Sequence, residues 1–283
     1  MFDKWLNDVF VQVSYFLNLQ TCIRQNPMRN TICSKMEKNR RIDRFPFMAE
    51  TFLVDKMGRL RPTTLCNYML SCAGRHAETR GFGATDSLGW VLARMALRIE
   101  RVPMWRERFY IETWVRNLYH GFTDRCIRVV DENGAEIASM IATFALLDLK
   151  TRSSVDLNGD LGVRLNECME PDEPLAIRRV PSLSRIPVED ISFRLRPRYS
   201  DVDINGHMNS IRYLDHILDS LPMEYMNSHN LRDFAVAYMH EGDADEELSF
   251  GIKELAENHY LVQVTKENGV AASRCELKFM PIE

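Results

Sequence analysis

The sequence lacks the devices that mark several common chemistries. It holds no glycine-rich phosphate loop, no G-x-S-x-G elbow and no C-x-x-C pair. Those absences remove the usual signals for a nucleotide cradle, a serine-hydrolase elbow and a zinc or dithiol site. Seven cysteines stand at 22, 33, 66, 72, 126, 168 and 275. An odd number with irregular spacing argues against a disulfide framework and for reduced thiols in the cytoplasm. An excess of one charge is missing too: 36 Lys and Arg face 40 Asp and Glu, a net charge of -4. No basic stripe is present to hold nucleic acid.

A membrane-spanning run is also absent. Residues 9–23, VFVQVSYFLNLQTCI, carry no charge, but Gln12, Ser14, Asn18 and Gln20 interrupt them. The stretch falls short of the roughly 20 apolar positions a spanning helix needs. Neither a basic start nor a small-residue cleavage site makes it a signal peptide. Residues 1–43 are therefore expected to be an extension without stable membrane insertion. It reads as either a peripheral amphipathic helix or an over-called start, with Met28 or Met36 as the favoured true beginning.

What is present is a globular composition, 45% apolar and 27% charged, long enough for one large or two ordinary domains. The pattern repeats. Residues 45–55 read as a strand and loop; Pro62 opens a helical stretch, PTTLCNYMLSCAG, with Gly74 and Gly81 as stops; four strand-like runs follow, the last two joined by DENG at 131–134. The order then recurs. ISFRLRPRY at 191–199 alternates as a strand, SDVDING leads into a helix expected over 207–221, Pro222 stops it, and four more strands close on a KENG turn at 266–269. Between the units, residues 151–190 hold Pro171, Pro174, Pro181 and Pro187 and read as a surface linker. The expected division is 44–150, linker 151–190, and 191–283. A helix packed on a run of antiparallel strands is an α+β layer solution; two such units in one chain make a double hotdog.

The stretch DVDINGH at 201–207 opens like an EF-hand loop. The twelfth position of that loop should be a bidentate Glu and is Arg212, so a metal is not expected. Turn and cap duty explains any one of these side chains, and Asn205 suits a helix cap. It does not explain Asp201, Asp203, Asn205, His207 and Asn209 together. Setting Asp55 against Asp201 puts Met57, Arg59, Arg61 and Thr63 opposite Asp203, Asn205, His207 and Asn209. On that alignment the first copy folds without the polar set, and the second carries the chemistry.

The stretch SDVDINGHMNSIRYLDHILDSLP resembles the signature of the acyl-ACP thioesterases, plant and bacterial double-hotdog enzymes that release fatty acids from acyl carrier protein. Their pattern D-x-D-x-N-x-H-x-N-N-x-x-Y is met by Asp201, Asp203, Asn205, His207, Asn209 and Tyr213, with Ser210 at the second Asn of the pair. Their Y-x-x-E-C motif resembles YMHEG at 238–242, which keeps Glu241 and has Gly242 in place of Cys. The resemblance covers about residues 45–281. It implies hydrolysis of fatty acyl-ACP without a cofactor, at a site of Asp203, Asn205, His207 and Glu241. Lacking the motif cysteine, the site is expected to use water. Glu241 and His207 would handle its proton, Asp203 would orient His207 or Asn205, and Asn205 with the helix N–H groups would hold the carbonyl. Which of Glu241 and His207 is the base stays open, as does a role for Cys275 from elsewhere in the fold. The resemblance further implies an acyl pocket in the first unit, drawing on Leu65, Met69 and Trp90, with Asn209 at the substrate; ordinary core explains the apolar three as well. The acidic carrier protein would want a basic face, for which Arg178, Arg179, Arg194, Arg196 and Arg198 are candidates. A homodimer stays open. The rival readings are an acyl-CoA thioesterase, a hydratase on the same fold, and a non-catalytic acyl-binding protein.

Overall fold

A computed structural model describes residues 41–282 other than His120, Asn158 and Arg178. The expectations for residues 1–40, and the docking role of Arg178, lie outside the described residues. The first unit runs β1 (Asp43–Met48), α1 (Pro62–Thr79), β2 (Leu88–Ile99), β3 (Arg108–Tyr119), β4 (Phe122–Asp131) and β5 (Glu136–Asp148). A short α2 (Asp160–Glu167) follows. Then come β6 (Phe193–Leu195), α3 (Arg212–Asp219), α4 (Met223–Ser228), β7 (His229–Tyr238), β8 (Leu248–Ala256), β9 (His259–Thr265) and β10 (Ala271–Pro281).

The strands form one antiparallel sheet in the order β1-β3-β4-β5-β2-β7-β10-β9-β8-β6. Read from either edge inward, the order is first, third, fourth, fifth and second strand of a unit. The two units meet where β2 pairs β7, from Arg94 opposite Ala237 to Arg98 opposite Asp233. An Arg98–Asp233 ion pair at 2.8 Å staples the end of that seam. Each unit's helix lies against the sheet, and one core runs through both, from Leu65 and Met69 of α1 to Leu214 and Ile217 of α3.

Local chemistry explains the elements. Pro62 suits the first turn of α1, where its missing N–H has no intrahelical partner to lose. Leu65, Cys66, Met69, Cys72 and Ala73 then make a buried stripe at helical spacing. Gly74 does not stop the helix; it sits on the open face, and α1 continues to Thr79 before Gly81 takes a φ of +74°. Strand β6 is three residues rather than nine, because Pro197 restricts Arg196 and offers no N–H to a ladder. The second helix starts at Arg212, not His207. Val202 bridges Met208 and ties residues 202–208 into a closed loop, which holds that stretch out of the helix. Neither α2 nor α4 was expected: α2 hides in the Pro-bearing stretch, anchored by the fully buried Leu165, and α4 begins directly after Pro222.

Candidate active site

The loop before α3 is built by its own backbone. Asp203 N–H donates to His207 O at 2.8 Å, and Gly206 N–H to Asp203 O at 3.0 Å. The Asp203 carboxylate accepts the N–H groups of Asn205 and His207 at 2.8 and 3.3 Å. Gly206 sits at φ +80°, a conformation that disfavours a side chain. The first unit makes the same loop. Asp55 N–H donates to Arg59 O at 2.8 Å, Gly58 N–H to Asp55 O at 3.0 Å, and Val54 bridges Leu60.

This geometry corrects the register read from the sequence. Asp55 is the counterpart of Asp203, not of Asp201; Met57 answers Asn205, Arg59 answers His207, and Arg61 answers Asn209. Asp203 is thus common to both copies and serves the loop's fold. Asn205 and His207 are what the second copy adds. Asp201 is structural as well: its buried carboxylate takes His216 Nε2 at 2.9 Å and the Arg198 N–H at 2.8 Å, tying α3 to the turn at Tyr199–Asp201.

His207 faces a short extended segment after β7. Met208 N–H donates to Gly242 O at 2.9 Å, and His207 bridges Asp243. The imidazole Nε2 then stands 3.5 Å from Glu241 Oε2 and 3.9 Å from Asp243 Oδ1. The sequence reading missed Asp243, because only the bridge, not the motif, brings it to the ring. Arg152, held in a left-handed turn at φ +56° after β5, pairs its guanidinium with Glu241. Lys266 donates to Glu241 O at 2.8 Å from beneath.

His207 and Glu241 line a cleft of about 380 Å³ between the units, within the range of ligand pockets. Asn67 and Leu70 of α1, Trp90 and Leu92 of β2, and Phe144 of β5 form one wall; Asp203, Asn205, His207, Asn209 and Glu241 are on the other. A larger depression of about 530 Å³ by Arg194 and Glu247 includes none of the 201–209 loop. Trp90 is placed as expected, fixed by its indole N–H on Phe82 O at 2.8 Å. Leu65 and Met69 are not at the cleft: both are wholly inside the core. They lie on the sheet-facing side of α1, whereas Asn67 and Leu70 point the other way. Asn209 lines the cleft, and its Oδ1 accepts the Ile211 N–H at 2.9 Å in the turn before α3, whose first turn takes no side-chain cap from Asn205 or any other residue. Because Asn209 O also accepts the Arg212 N–H at 2.9 Å, the expected free helix N–H groups are partly taken, and Asn205 remains the exposed amide.

No cysteine among the described residues lines the cleft. Cys275 is buried in the core, where desolvation pushes its thiol far above the ordinary value. Gly242 has no room for a side chain as packed: a Cβ there would meet the Tyr213 hydroxyl at 2.6 Å and Leu248 Cδ1 at 3.1 Å. Burial pushes Tyr213 itself up to about 12, so it is a neutral phenol at the site. The expected basic face is not bare. Arg194 lies 3.6 Å from Glu247, Arg196 lies 3.3 Å from Glu267, and Arg179 borders a different cavity, over the β2–β7 seam.

Two helix-and-sheet units joined edge to edge, with an imidazole and carboxylates at a cleft between them, define a double hotdog. Family models agree: the acyl-ACP thioesterase N-terminal domain matches residues 46–163 and the C-terminal domain matches residues 186–280. The chain belongs to the acyl-ACP thioesterase family. Among solved structures, an acyl-ACP thioesterase from Bacteroides thetaiotaomicron is 38% identical, with a TM-score of 0.78, covering 85% of this chain and 98% of that one. The 12:0-ACP thioesterase from Umbellularia californica shares the fold at 20% identity and TM-score 0.77, covering 86% of this chain and 98% of its own. A palmitoyl-acyl carrier protein thioesterase of Cuphea hookeriana, described as chloroplastic, is 28% identical over 196 residues, 63% of this chain and 46% of that protein. The chain spans about half the length of the first curated relatives it matches. Among the described residues, no helix is long and apolar enough to cross a membrane.

Proposed function

We propose that this chain hydrolyses the thioester of fatty acyl-ACP to free fatty acid and carrier protein. The observation that carries the reading is the His207–Glu241 pair, 3.5 Å apart at the wall of a cleft whose other wall is apolar and aromatic. The acyl chain lies along Leu70, Trp90, Leu92 and Phe144 of the unit at 44–150, and the unit at 191–283 supplies the reacting groups. Water attacks the thioester carbon and gives its proton to the His207–Glu241 pair. The carbonyl oxygen, gaining charge, takes a hydrogen bond from Asn205; one such donor contributes roughly 10²–10³ in rate. Collapse breaks the C–S bond, and the returning proton leaves with the pantetheine thiol. Asp203 is a positioning residue, acting through the backbone of Asn205 and His207. The cysteine-free cleft supports water rather than an acyl-enzyme, and reduced cysteines suit a cytoplasmic location.

Thiol release from a panel of acyl-ACPs and the matching acyl-CoAs tests the substrate class. Faster release from ACP supports the reading. Equal or faster release from CoA moves the chain to an acyl-CoA thioesterase, and none from either leaves an acyl-binding protein.

A further inference from the structure

The hairpin turns DENG at 131–134 and KENG at 266–269 occupy the same place in the two units, yet their first residues have opposite charge. The backbone is shared: Gly134 N–H donates to Asp131 O at 3.1 Å, and Gly269 N–H to Lys266 O at 2.9 Å. In the first unit the turn is self-contained. The Asp131 carboxylate accepts the Asn133 and Ala135 N–H groups at 2.9 and 3.0 Å and meets Arg101 at 3.2 Å. Arg101 in turn holds Glu107 at 2.7 Å.

The second unit keeps the acid and moves the cation. Glu246 stands where Glu107 does, since Glu107 N–H bonds Met104 O at 2.8 Å and Glu246 N–H bonds Asp243 O at 3.3 Å. The charge that holds it now comes from the turn. Lys266 Nζ lies 2.9 Å from Glu246 Oε2, 3.0 Å from Asp243 Oδ2 and 2.8 Å from Glu241 O, its side chain only 14% exposed. Asp243 takes the place of Met104, and both face the loop by the same bridge, Met104 to Arg59 and Asp243 to His207. The arrangement of the first unit suffices for folding. The second adds a carboxylate beside the imidazole and an ammonium that holds it.

We propose that Lys266 is a positioning residue for the hydrolysis, fixing the backbone of Glu241 and the carboxylate of Asp243 and so setting the place and charge of the acids around His207. The inference rests on the reading that His207 and Glu241 do the chemistry. Burial opposes the lysine's charge, but its bonds to Glu246 and Asp243 outweigh that and raise its pKa above the ordinary value. The other groups near His207 are Asp203 on its own loop, Tyr213 on α3, His240 in the cleft wall and Arg152 across Glu241. Removing the ammonium leaves Asp243 uncompensated 3.9 Å from the ring. The acid limb of the rate profile then moves to higher pH, because withdrawing a cation favours the protonated form of whichever group takes the water's proton.

The experiment measures kcat, KM and the pH–rate profile on acyl-ACP for Lys266→Met, Lys266→Arg and Asp243→Asn, with His207→Ala alongside. Lys266→Met should lose up to about 100-fold in kcat, the scale of a 1 Å misplacement, with KM little changed. Its acid limb should move up by roughly one pH unit, and Lys266→Arg should restore the limb. Asp243→Asn should move the limb down, which keeps the test open if Lys266→Met does not fold. A folded Lys266→Met with wild-type kcat and limb overturns the proposal, as does an unmoved limb in Asp243→Asn. A fully active His207→Ala sinks the site reading itself; an inactive one beside an unaffected Lys266→Met sinks only the role of Lys266.

Discussion

At the scale of single residues, the two copies of one loop separate folding from chemistry. Asp55 and Asp203 do the same backbone work, so Asp55→Ala and Asp203→Ala should each lower Tm by a few degrees, the cost of a lost cap-like acceptor at roughly 1 kcal/mol. Only Asp203→Ala should also slow turnover, and thermal melts run beside kcat measurements check both. Asn205→Ala should lose roughly 10²–10³ in kcat with its melting point unchanged. From the sequence, the motif singled out Asn205, His207 and Glu241, which the fold sets on one cleft. It did not reveal that Asp201 is buried against His216 or that Asp203 builds the loop. A D-x-D pattern looks the same whether its carboxylates face solvent, a ring or a backbone. The two-residue error in aligning the copies had a similar source: only the paired Gly58 and Gly206 turns, with φ of +76° and +80°, fix the register.

Among the elements, α4 and Arg59 explain why the first unit has no matching site. Arg59 stands where His207 does, and it binds Asp55 Oδ2 at 2.7 Å, Asn230 Oδ1 at 2.9 Å and Met226 O at 2.8 Å. It thereby ties the first unit's loop to α4 and to the start of β7. Arg59→Ala should destabilise the fold by roughly 1.5–3 kcal/mol, the scale of hydrogen bonds to a charged group, and leave kcat on acyl-ACP intact; urea melts and initial rates test this. The helix α1 divides its duties by face. Leu65→Ala should cost roughly 2–5 kcal/mol of stability without altering chain-length preference, whereas Leu70→Ala and Trp90→Ala should change which acyl chain is cleaved fastest. Periodicity showed which α1 residues are apolar, but both readings, core and pocket, fit a helical stripe. α4 was illegible because a six-residue helix behind a proline leaves too short a pattern to count.

Across the whole molecule, the α+β repeat was readable because apolar residues recur at strand spacing in both units, while Pro62 opens one helix and Pro222 follows the other. The palindromic strand order was not, since pairing between β2 and β7 joins residues some 140 positions apart. The fold also carries a buried basic cluster that has no signature in the sequence. His76, inside the first unit, accepts Arg125 Nη1 at 3.2 Å on Nδ1 and donates from Nε2 to Arg41 O at 3.2 Å. Burial and the Arg125 charge lower it to about 4. The folded chain therefore binds this proton less readily than the unfolded chain, and His76 weakens the fold as pH falls from about 6.5 toward 4, at about 1.4 kcal/mol per pH unit. Urea midpoints of the wild type should drop over that window more steeply than those of His76→Asn. The claim that binds these scales together is that one of two similar units carries the chemistry, at His207. The most direct test is the rate of thiol release from acyl-ACP by wild type and His207→Ala at matched melting temperature. A loss of roughly 10²–10⁴ is predicted for a positioned base; release at the wild-type rate would contradict the account.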